Sequence, residues 1–266
     1  MSPRGGRPRA SGDAAADHDT ASEVLAAAAA LFCTVGYTAT STYAIAARAG
    51  VRQASIYHYF AGKDAILQAL LLGTVQPSLD LTEALAARPE PAAARLWALC
   101  YADVVLLCDG PVNLGALYLL PEVAGEQFAD FRAQHGELLR RYADLVARVD
   151  AEGSDRVRGA VRSGQEVAEL TRLVFGLVES VILRRRDQLG LRAQVVAPRV
   201  ADGALRLLGL GEDALVAARS QGRAVLRDLA TEAVAQAIAA PAPGAPERRG
   251  PSAQAETATP ADPGAS

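Results

Sequence analysis

The chain has 266 residues, half of them hydrophobic, and a net charge of −3 at pH 7. No apolar run is long enough to span a membrane, and the polar first nineteen residues lack the apolar core of a secretory signal. The three cysteines include no Cys-x-x-Cys pair and form no disulfide framework, so we expect a cytoplasmic protein. We expect no cofactor, and the three histidines lie too far apart in the sequence to indicate a metal site.

The first predicted element is a basic arm, residues 1–17, which we expect to be disordered. Its arginines are Arg4, Arg7 and Arg9, and a short basic element of this kind suits the narrow minor groove of A·T-rich DNA. The alternative is a tail that only aids solubility. A helix is then predicted over 20–35, capped near its start by a serine or threonine.

Segment 41–60, with the sequence STYAIAARAGVRQASIYHYF, predicts two short helices joined by a glycine turn. The first is expected over Thr42–Ala49 and the second over Gln53–Tyr59, with Gly50 supplying the left-handed turn residue. The outward residues of the second helix are hydrogen-bonding and aromatic, without a carboxylate, which is typical of a recognition helix. We therefore predict DNA binding; the alternative is an ordinary solvated helix pair.

The distribution of charge supports this prediction, although the total charge does not. Residues 1–63 hold six basic and four acidic residues, whereas the remainder holds 21 basic and 26 acidic residues. No acidic residue lies between Val24 and Lys63. Because binding to phosphates depends on Lys and Arg and is opposed by carboxylates, this segregation indicates a DNA-binding head on an acidic body.

The later elements are all predicted helices. The first runs from Lys63 to about Ala87, and Pro77 predicts a kink or break near Gln76. The others are expected at 91–108, 114–120, 124–151, 167–186, 195–210 and 213–239. Residues 151–165 are predicted to form a loop, and the Pro- and Ala-rich tail 241–266 is expected to be disordered. The predicted fold class is all-α.

The predicted helix over 167–186 is apolar on two faces, so it needs cover on two sides. One side faces the core, and the other suits the same helix of a second subunit, with the following helix completing a four-helix contact. The candidate interface residues are Leu177, Val181, Val196, Val200 and Leu207. The alternative is the central helix of a monomer.

The body also offers residues for an apolar pocket with a few polar groups. The candidates are Trp97, Tyr101, Asn113, Tyr118, Phe128, Phe131, His135, Phe175 and Glu179. For any one of them, ordinary core packing is the alternative. No phosphate loop, nucleophile elbow or clustered His, Asp and Glu is present in the sequence, so we do not expect an enzyme.

Residues 21–72 resemble the N-terminal domain of TetR-type transcriptional repressors. The resemblance rests on an Ala-rich helix ending in Leu-Phe, then Gly-Tyr, Thr-Ser-Thr, Ile-Ala, Ala-Gly-Val, Ser-Ile-Tyr, and Phe followed by Lys-Asp, all in the family's order. It implies a three-helix helix-turn-helix domain over 18–78, with the motif at 41–60. A helical effector-binding and dimerisation domain is then implied over 79–240.

The resemblance also implies a function. The expected protein is a homodimeric repressor that a small-molecule effector releases from a palindromic operator in double-stranded DNA. The alternative is a ligand-blind regulator or activator whose body serves only for dimerisation. Gln53, Tyr57 and Arg52 are expected to read base edges. The residues expected to hold phosphates are Thr42, Tyr43, Tyr59 and Lys63. The full set of predicted DNA-binding residues is Thr42, Tyr43, Arg52, Gln53, Ala54, Ser55, Tyr57, His58, Tyr59, Lys63, Arg7 and Arg9.

Overall fold

Helices account for the regular structure of the protein. The computed structural model describes residues 10–157, 162–188 and 190–239, and these ranges contain no strand, so the all-α prediction is confirmed. The α-helices are α1 (Ala10–Thr34), α2 (Thr42–Ala49), α3 (Gln53–Tyr59), α4 (Lys63–Ala86), α5 (Ala92–Cys108), α6 (Ala129–Val157), α7 (Gly164–Asp187), α8 (Ala193–Leu207) and α9 (Glu212–Ala239). Between α5 and α6, residues 109–128 form a connector that contains three short 3-10 turns.

The helix-turn-helix has the limits that the sequence predicts. The Ser41 hydroxyl oxygen accepts a hydrogen bond from the Ala44 N–H and thereby caps α2. Gly50 ends α2 in the left-handed conformation, with a φ of 72°, and its N–H donates to the Ala46 carbonyl oxygen. The prediction of α2, the glycine turn and α3 is confirmed.

The first helix is longer than predicted. α1 begins at Ala10 rather than near residue 20, so part of the arm expected to be disordered is helical. The added segment contains three consecutive alanines, Ala14 to Ala16, and alanine has the highest helix propensity. The residues proposed as caps therefore lie inside the helix. Residues 1–9, and with them Arg7 and Arg9, lie outside the described residues.

α4 connects the helix-turn-helix head to the body and runs through Pro77 without the predicted break. Buried side chains continue along α4 on both sides of the proline, from Leu71 and Val75 before it to Leu85 after it. Because both halves pack against the body, α4 remains one helix despite the backbone hydrogen bond that proline cannot donate.

α5 is the central helix of the body. It contacts α4, α6, α7, α8 and α9, and its residues from Leu96 to Cys100 are completely buried. α9 approaches α5 closely at Gly222, where an added Cβ would lie 2.7 Å from Trp97 and 2.8 Å from the Ala94 carbonyl oxygen. The close approach fixes α9 against the centre of the body.

The predicted loop over 151–165 is largely helical. α6 continues to Val157, and α7 begins at Gly164. The Ser163 hydroxyl oxygen accepts from the Glu166 N–H, and the Glu166 carboxylate accepts from the Ser163 N–H, which forms a capping box. The Ser-x-x-Glu spacing is the signal that the loop prediction overlooked. The tail 241–266 lies outside the described residues. No helix in the described part of the chain is long and apolar enough to cross a membrane.

Candidate DNA-binding surface and effector cavity

The outer face of α3 leaves large aromatic side chains in solvent. Ile56 of α3 and Ile45 of α2 are fully buried and attach both helices to α1. On the other side, Tyr57 is 55% exposed, and Tyr43 in the first turn of α2 is 70% exposed. Neither ring is buried within the head, so both are available for contact with a partner.

Hydrogen bonds join the predicted recognition residues to one another. The Gln53 side-chain amide donates to the Thr42 hydroxyl oxygen at 3.1 Å, and the Tyr57 and Thr42 hydroxyls are 3.3 Å apart. Thr42 is the first residue of α2, so the three side chains connect the start of α2 to the exposed face of α3. The network fixes the relative positions of two predicted base-reading groups and one predicted phosphate ligand.

Lys63 has a structural role that its prediction as a phosphate ligand did not include. Its Nζ donates to the Tyr37 carbonyl oxygen at 2.9 Å and to the Thr38 carbonyl oxygen at 3.4 Å, and it lies 4.3 Å from the centre of the Tyr37 ring. The Tyr37 hydroxyl donates in turn to the Asp64 carboxylate. Lys63 thus holds the turn after α1 against the start of α4.

The other predicted DNA-binding residues divide by exposure. Arg52, Gln53, Ala54 and His58 are exposed, together with the two tyrosines described above. Thr42, Ser55, Tyr59 and Lys63 are half-buried. The structure therefore places ten of the twelve predicted residues in or beside the helix-turn-helix, and Arg7 and Arg9 lie outside the described residues.

A small, partly open cavity lies in the body, bordered by α4, α5, the connector, α6 and α7. Its free volume is about 20 Å³, which is room for about one water molecule. The lining residues are Thr74, Ser78, Asp103, Leu106, Leu107, Tyr118, His135, Leu138, Phe175, Val178 and Glu179. Four predicted pocket residues line this cavity: Tyr118, His135, Phe175 and Glu179.

The other five predicted pocket residues do not line the cavity. Trp97 is fully buried and donates from Nε1 to the Asp202 carboxylate at 2.8 Å, and Tyr101 stacks on its ring. Asn113 donates from its side chain to the Ile182 carbonyl oxygen at 2.8 Å.

The remaining two are Phe128 and Phe131, which belong to the core. Phe128 is completely buried, and Phe131 packs behind the lining, 5.1 Å from Tyr118 and 5.6 Å from His135 between ring centres. Their positions favour the ordinary packing alternative.

Sequence reasoning missed the most unusual lining residue, Asp103. It lies in the second part of α5, within the run Trp-Ala-Leu-Cys-Tyr-Ala-Asp-Val-Val-Leu-Leu-Cys, and a lone carboxyl in such a run is the signal that identifies it. Thr74 and Ser78 of α4 were missed as well. They are four residues apart, so both hydroxyls lie on the face of α4 that meets the cavity.

The cavity concentrates polar groups in a buried position. The Tyr142 hydroxyl donates to Asp103 Oδ2 at 2.6 Å, while Asp103 Oδ1 has no hydrogen-bond partner among the described residues. Burial raises the pKa of the Asp103 carboxyl to about 6, against the opposing effect of the Tyr142 and Ser78 hydroxyls. The His135 Nε2 and Glu179 Oε1 atoms are 2.8 Å apart.

Comparison with known proteins agrees with the helix-turn-helix geometry. Residues 24–70 match the model of the tetR family of bacterial regulatory proteins. AmtR of Mycobacterium smegmatis is 41% identical in sequence, and the alignment covers 85% of this chain and 98% of AmtR with a TM-score of 0.68. The chain belongs to the TetR family.

More distant TetR-like structures share the fold. FadR of Bacillus subtilis, solved in complex with stearoyl-CoA, is 22% identical over 71% of this chain and 99% of FadR, with a TM-score of 0.51. A gamma-butyrolactone receptor is 20% identical over 80% of this chain and 98% of the receptor, with a TM-score of 0.59. No curated protein sequence matches this TetR-family chain. TetR-family regulators are generally DNA-binding proteins rather than enzymes.

The predicted dimer residues of this TetR-family protein need correction. Val181, Val196 and Val200 are at most 6% exposed within a single chain, so they belong to its own core and leave little surface for another subunit. Leu177 is half-buried, and Leu207 is 42% exposed. The apolar side chains that do face outward on α7 and α8 are Leu173, Leu183, Val195 and Leu207.

Contacts through the connector join the head of this TetR-family protein to its body. The Cys33 thiol of α1 donates to the Asn113 carbonyl oxygen at 3.5 Å, and the Thr38 hydroxyl donates to the Glu122 carboxylate at 2.7 Å. Beside the cavity, the Thr74 and Tyr118 hydroxyls are 2.6 Å apart, which links α4 to the connector. Head, connector and cavity wall are thus in direct contact.

Proposed function

We propose that this TetR-family protein is a homodimeric repressor that binds a near-palindromic operator and is released when a small molecule occupies the cavity. The observation that carries the DNA-binding part is the hydrogen-bonded group of half-buried Thr42 with exposed Gln53 and Tyr57. The head has no acidic residue between Val24 and Lys63. Such a surface suits phosphates and base edges.

The contacts that we propose follow the position of each side chain. Gln53, Tyr57 and Arg52 lie on the exposed face of α3 and read base edges in the major groove. Thr42 and Tyr43 at the start of α2 bind phosphate, where the helix N-terminus adds backbone N–H donors.

Dimerisation through α7 and α8 fits the apolar residues on their outer faces. Leu173, Leu183, Val195 and Leu207 are between 39% and 48% exposed, which suits burial against a second copy of the chain. A two-fold axis there presents two α3 helices to successive major grooves, roughly 34–36 Å apart or a multiple of this distance. The operator is then a near-palindrome.

Release follows from the position of the cavity. Thr74 and Ser78 lie on α4, the helix that begins beside the recognition surface and ends in the body. A ligand that favours one position of α4 favours one spacing of the heads, and only this difference in affinity can shift the equilibrium. The structures of FadR with stearoyl-CoA and of a gamma-butyrolactone receptor support ligand binding by bodies of this fold.

A second candidate is a ligand-blind regulator. The observation that favours it is the free volume of about 20 Å³, which admits no more than about one water molecule in this conformation. Replacing Ser78 by leucine fills the cavity and separates the two candidates. If a molecule releases the operator from the wild type but not from Ser78→Leu, release depends on the cavity. A regulator that no molecule releases belongs to the ligand-blind class.

The DNA-binding part is tested by selecting an operator from randomised duplexes and measuring affinity by fluorescence anisotropy. Gln53→Ala is expected to cost roughly 1–3 kcal/mol and to relax preference at one base pair. The matched control is Gln165→Ala on the exposed first turn of α7, which leaves affinity unchanged. Wild-type affinity and discrimination in Gln53→Ala would show that α3 does not read the operator through this residue.

A further inference from the structure

Asp103 is the cavity residue that packing does not explain. Its side chain is only 4% exposed, and one carboxylate oxygen accepts the Tyr142 hydroxyl. The other oxygen, Oδ1, has no hydrogen-bond partner within 3.5 Å among the described residues, and the Ser78 hydroxyl, which lowers the pKa of this carboxyl, is the donor beside it in the cavity wall. A buried acceptor without a donor costs free energy, so this oxygen is suited to a donor that comes from outside the chain.

The rest of the lining favours a donor with positive charge. Glu179 brings a second carboxylate to the cavity, and neither Lys nor Arg is among the lining residues. The aromatic rings of Tyr118 and Phe175 form part of the wall, and such rings attract cations. Thr74 and Ser78 add hydroxyl oxygens from α4. The cavity therefore offers several acceptors and no lysine or arginine, and its one imidazole, His135, lies 2.8 Å from the Glu179 carboxylate.

We propose that the cavity binds a compact cation of the protonated primary amine class, whose ammonium group donates to Asp103 Oδ1. The proposal rests on the proposed role of the cavity in release and names the chemistry of the effector. Free carboxylates and phosphates are disfavoured, because the lining has no Lys or Arg to pair with them. Metal ions are a poorer match, since no group of three or more His, Cys, Asp or Glu in the described residues is placed to hold one.

The size of the cavity limits the cation. A free volume of about 20 Å³ accepts an ammonium group in place of one water molecule. A carbon chain on the nitrogen requires displacement of the apolar lining, which Leu106, Leu107 and Leu138 provide. An ammonium group between Asp103 on α5 and the hydroxyls on α4 connects the ligand directly to the helix that leads to the head.

The test is calorimetric titration of the full chain with ammonium, methylammonium and n-butylammonium chlorides at constant ionic strength. n-Butanol and sodium n-butyrate serve as the neutral and anionic probes. We expect at least one ammonium probe to bind roughly tenfold or more tightly than both, since hydrogen bonds to charged groups are stronger than neutral ones. Asp103→Asn is expected to abolish this preference. The matched control is Asp144→Asn on the exposed face of α6, which keeps it.

A second measurement distinguishes a ligand contact from a structural role. Binding of a cation to Asp103 releases a proton near pH 6, because the carboxyl pKa is raised to about 6 in the free protein. Titrations in two buffers with different ionisation enthalpies measure this release, and Asp103→Asn is expected to lose it. The groups that face Asp103 from the surrounding elements are Ser78 and Thr74 of α4, Cys100 of α5, Tyr118 of the connector, His135 and Tyr142 of α6, and Glu179 of α7.

Three results overturn the proposal: no ammonium probe binds, n-butanol binds as well as n-butylammonium, or Asp103→Asn binds ammonium probes like the wild type. In the first case the cavity holds water only. The proposed DNA binding is judged separately, because operator affinity of the ligand-free protein and its dependence on Gln53 need no amine. Circular dichroism of Asp103→Asn confirms that the variant is folded.

Discussion

Replacing Asp103 by asparagine is expected to stabilise the ligand-free protein at neutral pH. Burial raises the pKa of this carboxyl from 3.8 to about 6, so its ionisation opposes folding. A shift of about two units corresponds to about 3 kcal/mol of unfolding free energy at 1.4 kcal/mol per unit. Asparagine still accepts the Tyr142 hydroxyl and carries no charge, so it removes up to this amount of destabilisation.

The sign of the pH dependence follows from which state holds the proton. Between about pH 4 and pH 6 the folded protein keeps the Asp103 proton, while the unfolded chain has lost it. The contribution of protonated Asp103 to stability is therefore complete below about pH 4 and is lost as the pH rises through 6. The stability difference between Asp103→Asn and the wild type should be small at pH 4 and grow to as much as about 3 kcal/mol at pH 7.

Urea unfolding followed by circular dichroism between pH 4 and pH 8 measures this difference. Other carboxyls also contribute to the pH dependence of stability, including Glu137 and Glu166, whose pKa values are lowered by hydrogen bonds from Arg140 and Ser163. Their contributions cancel when variant and wild type are subtracted. Asp144→Asn, on the exposed face of α6, is the control for replacing a carboxylate by an amide. An Asp103→Asn variant that is less stable than the wild type at pH 7.5 would refute the reasoning.

Three further predictions concern packing, assembly and the head. Gly222→Ala should destabilise the protein by about 1–2 kcal/mol in urea unfolding, because the new Cβ meets Trp97 and the backbone of α5. Gly136→Ala has open space around it and should stabilise the protein by about 0.5–1 kcal/mol. Equal effects of the two substitutions would contradict the close approach of α9 to α5. Leu207→Glu should convert a dimer to a folded monomer in sedimentation, and an intact dimer would remove this residue from the interface. Lys63→Ala should lower the melting temperature, because the variant loses two hydrogen bonds to backbone carbonyl oxygens. It should also lower the affinity for every operator variant, because Lys63 is a predicted phosphate ligand. An unchanged melting temperature would show that the two hydrogen bonds are weak.

The helix-turn-helix could be predicted to the residue because its determinants are local. A serine cap, a left-handed glycine and an apolar spacing fix α2 and α3 within twenty residues of sequence. Local rules failed where tertiary packing decides the outcome. α4 continues through Pro77 because the body covers both halves. For α1 the missed signal is itself local, because the alanines at 14–16 favour a helix without an apolar stripe.

The cavity could be predicted only in part, because residue type does not show which side of a helix faces which neighbour. An aromatic side chain can pack in the core as well as line a pocket, and Trp97 and Phe128 are fully buried. Val181 was assigned to a subunit contact from its helical spacing, yet it is completely buried within one chain. Asp103 could have been predicted, because a single carboxyl in an apolar run has few structural explanations.

The hydrogen bonds among Thr42, Gln53 and Tyr57 also bear on how such a regulator acquires a new operator. Gln53 already donates to Thr42 in the free protein, so reading a base requires this bond to be shared or exchanged. A substitution at Gln53 therefore changes base preference and, at the same time, frees the proposed phosphate ligand Thr42. Sequence preference and general affinity for DNA are coupled in one cluster of side chains. Divergence of this surface toward another operator is expected to proceed by concerted replacement of the three residues rather than by single, independent steps.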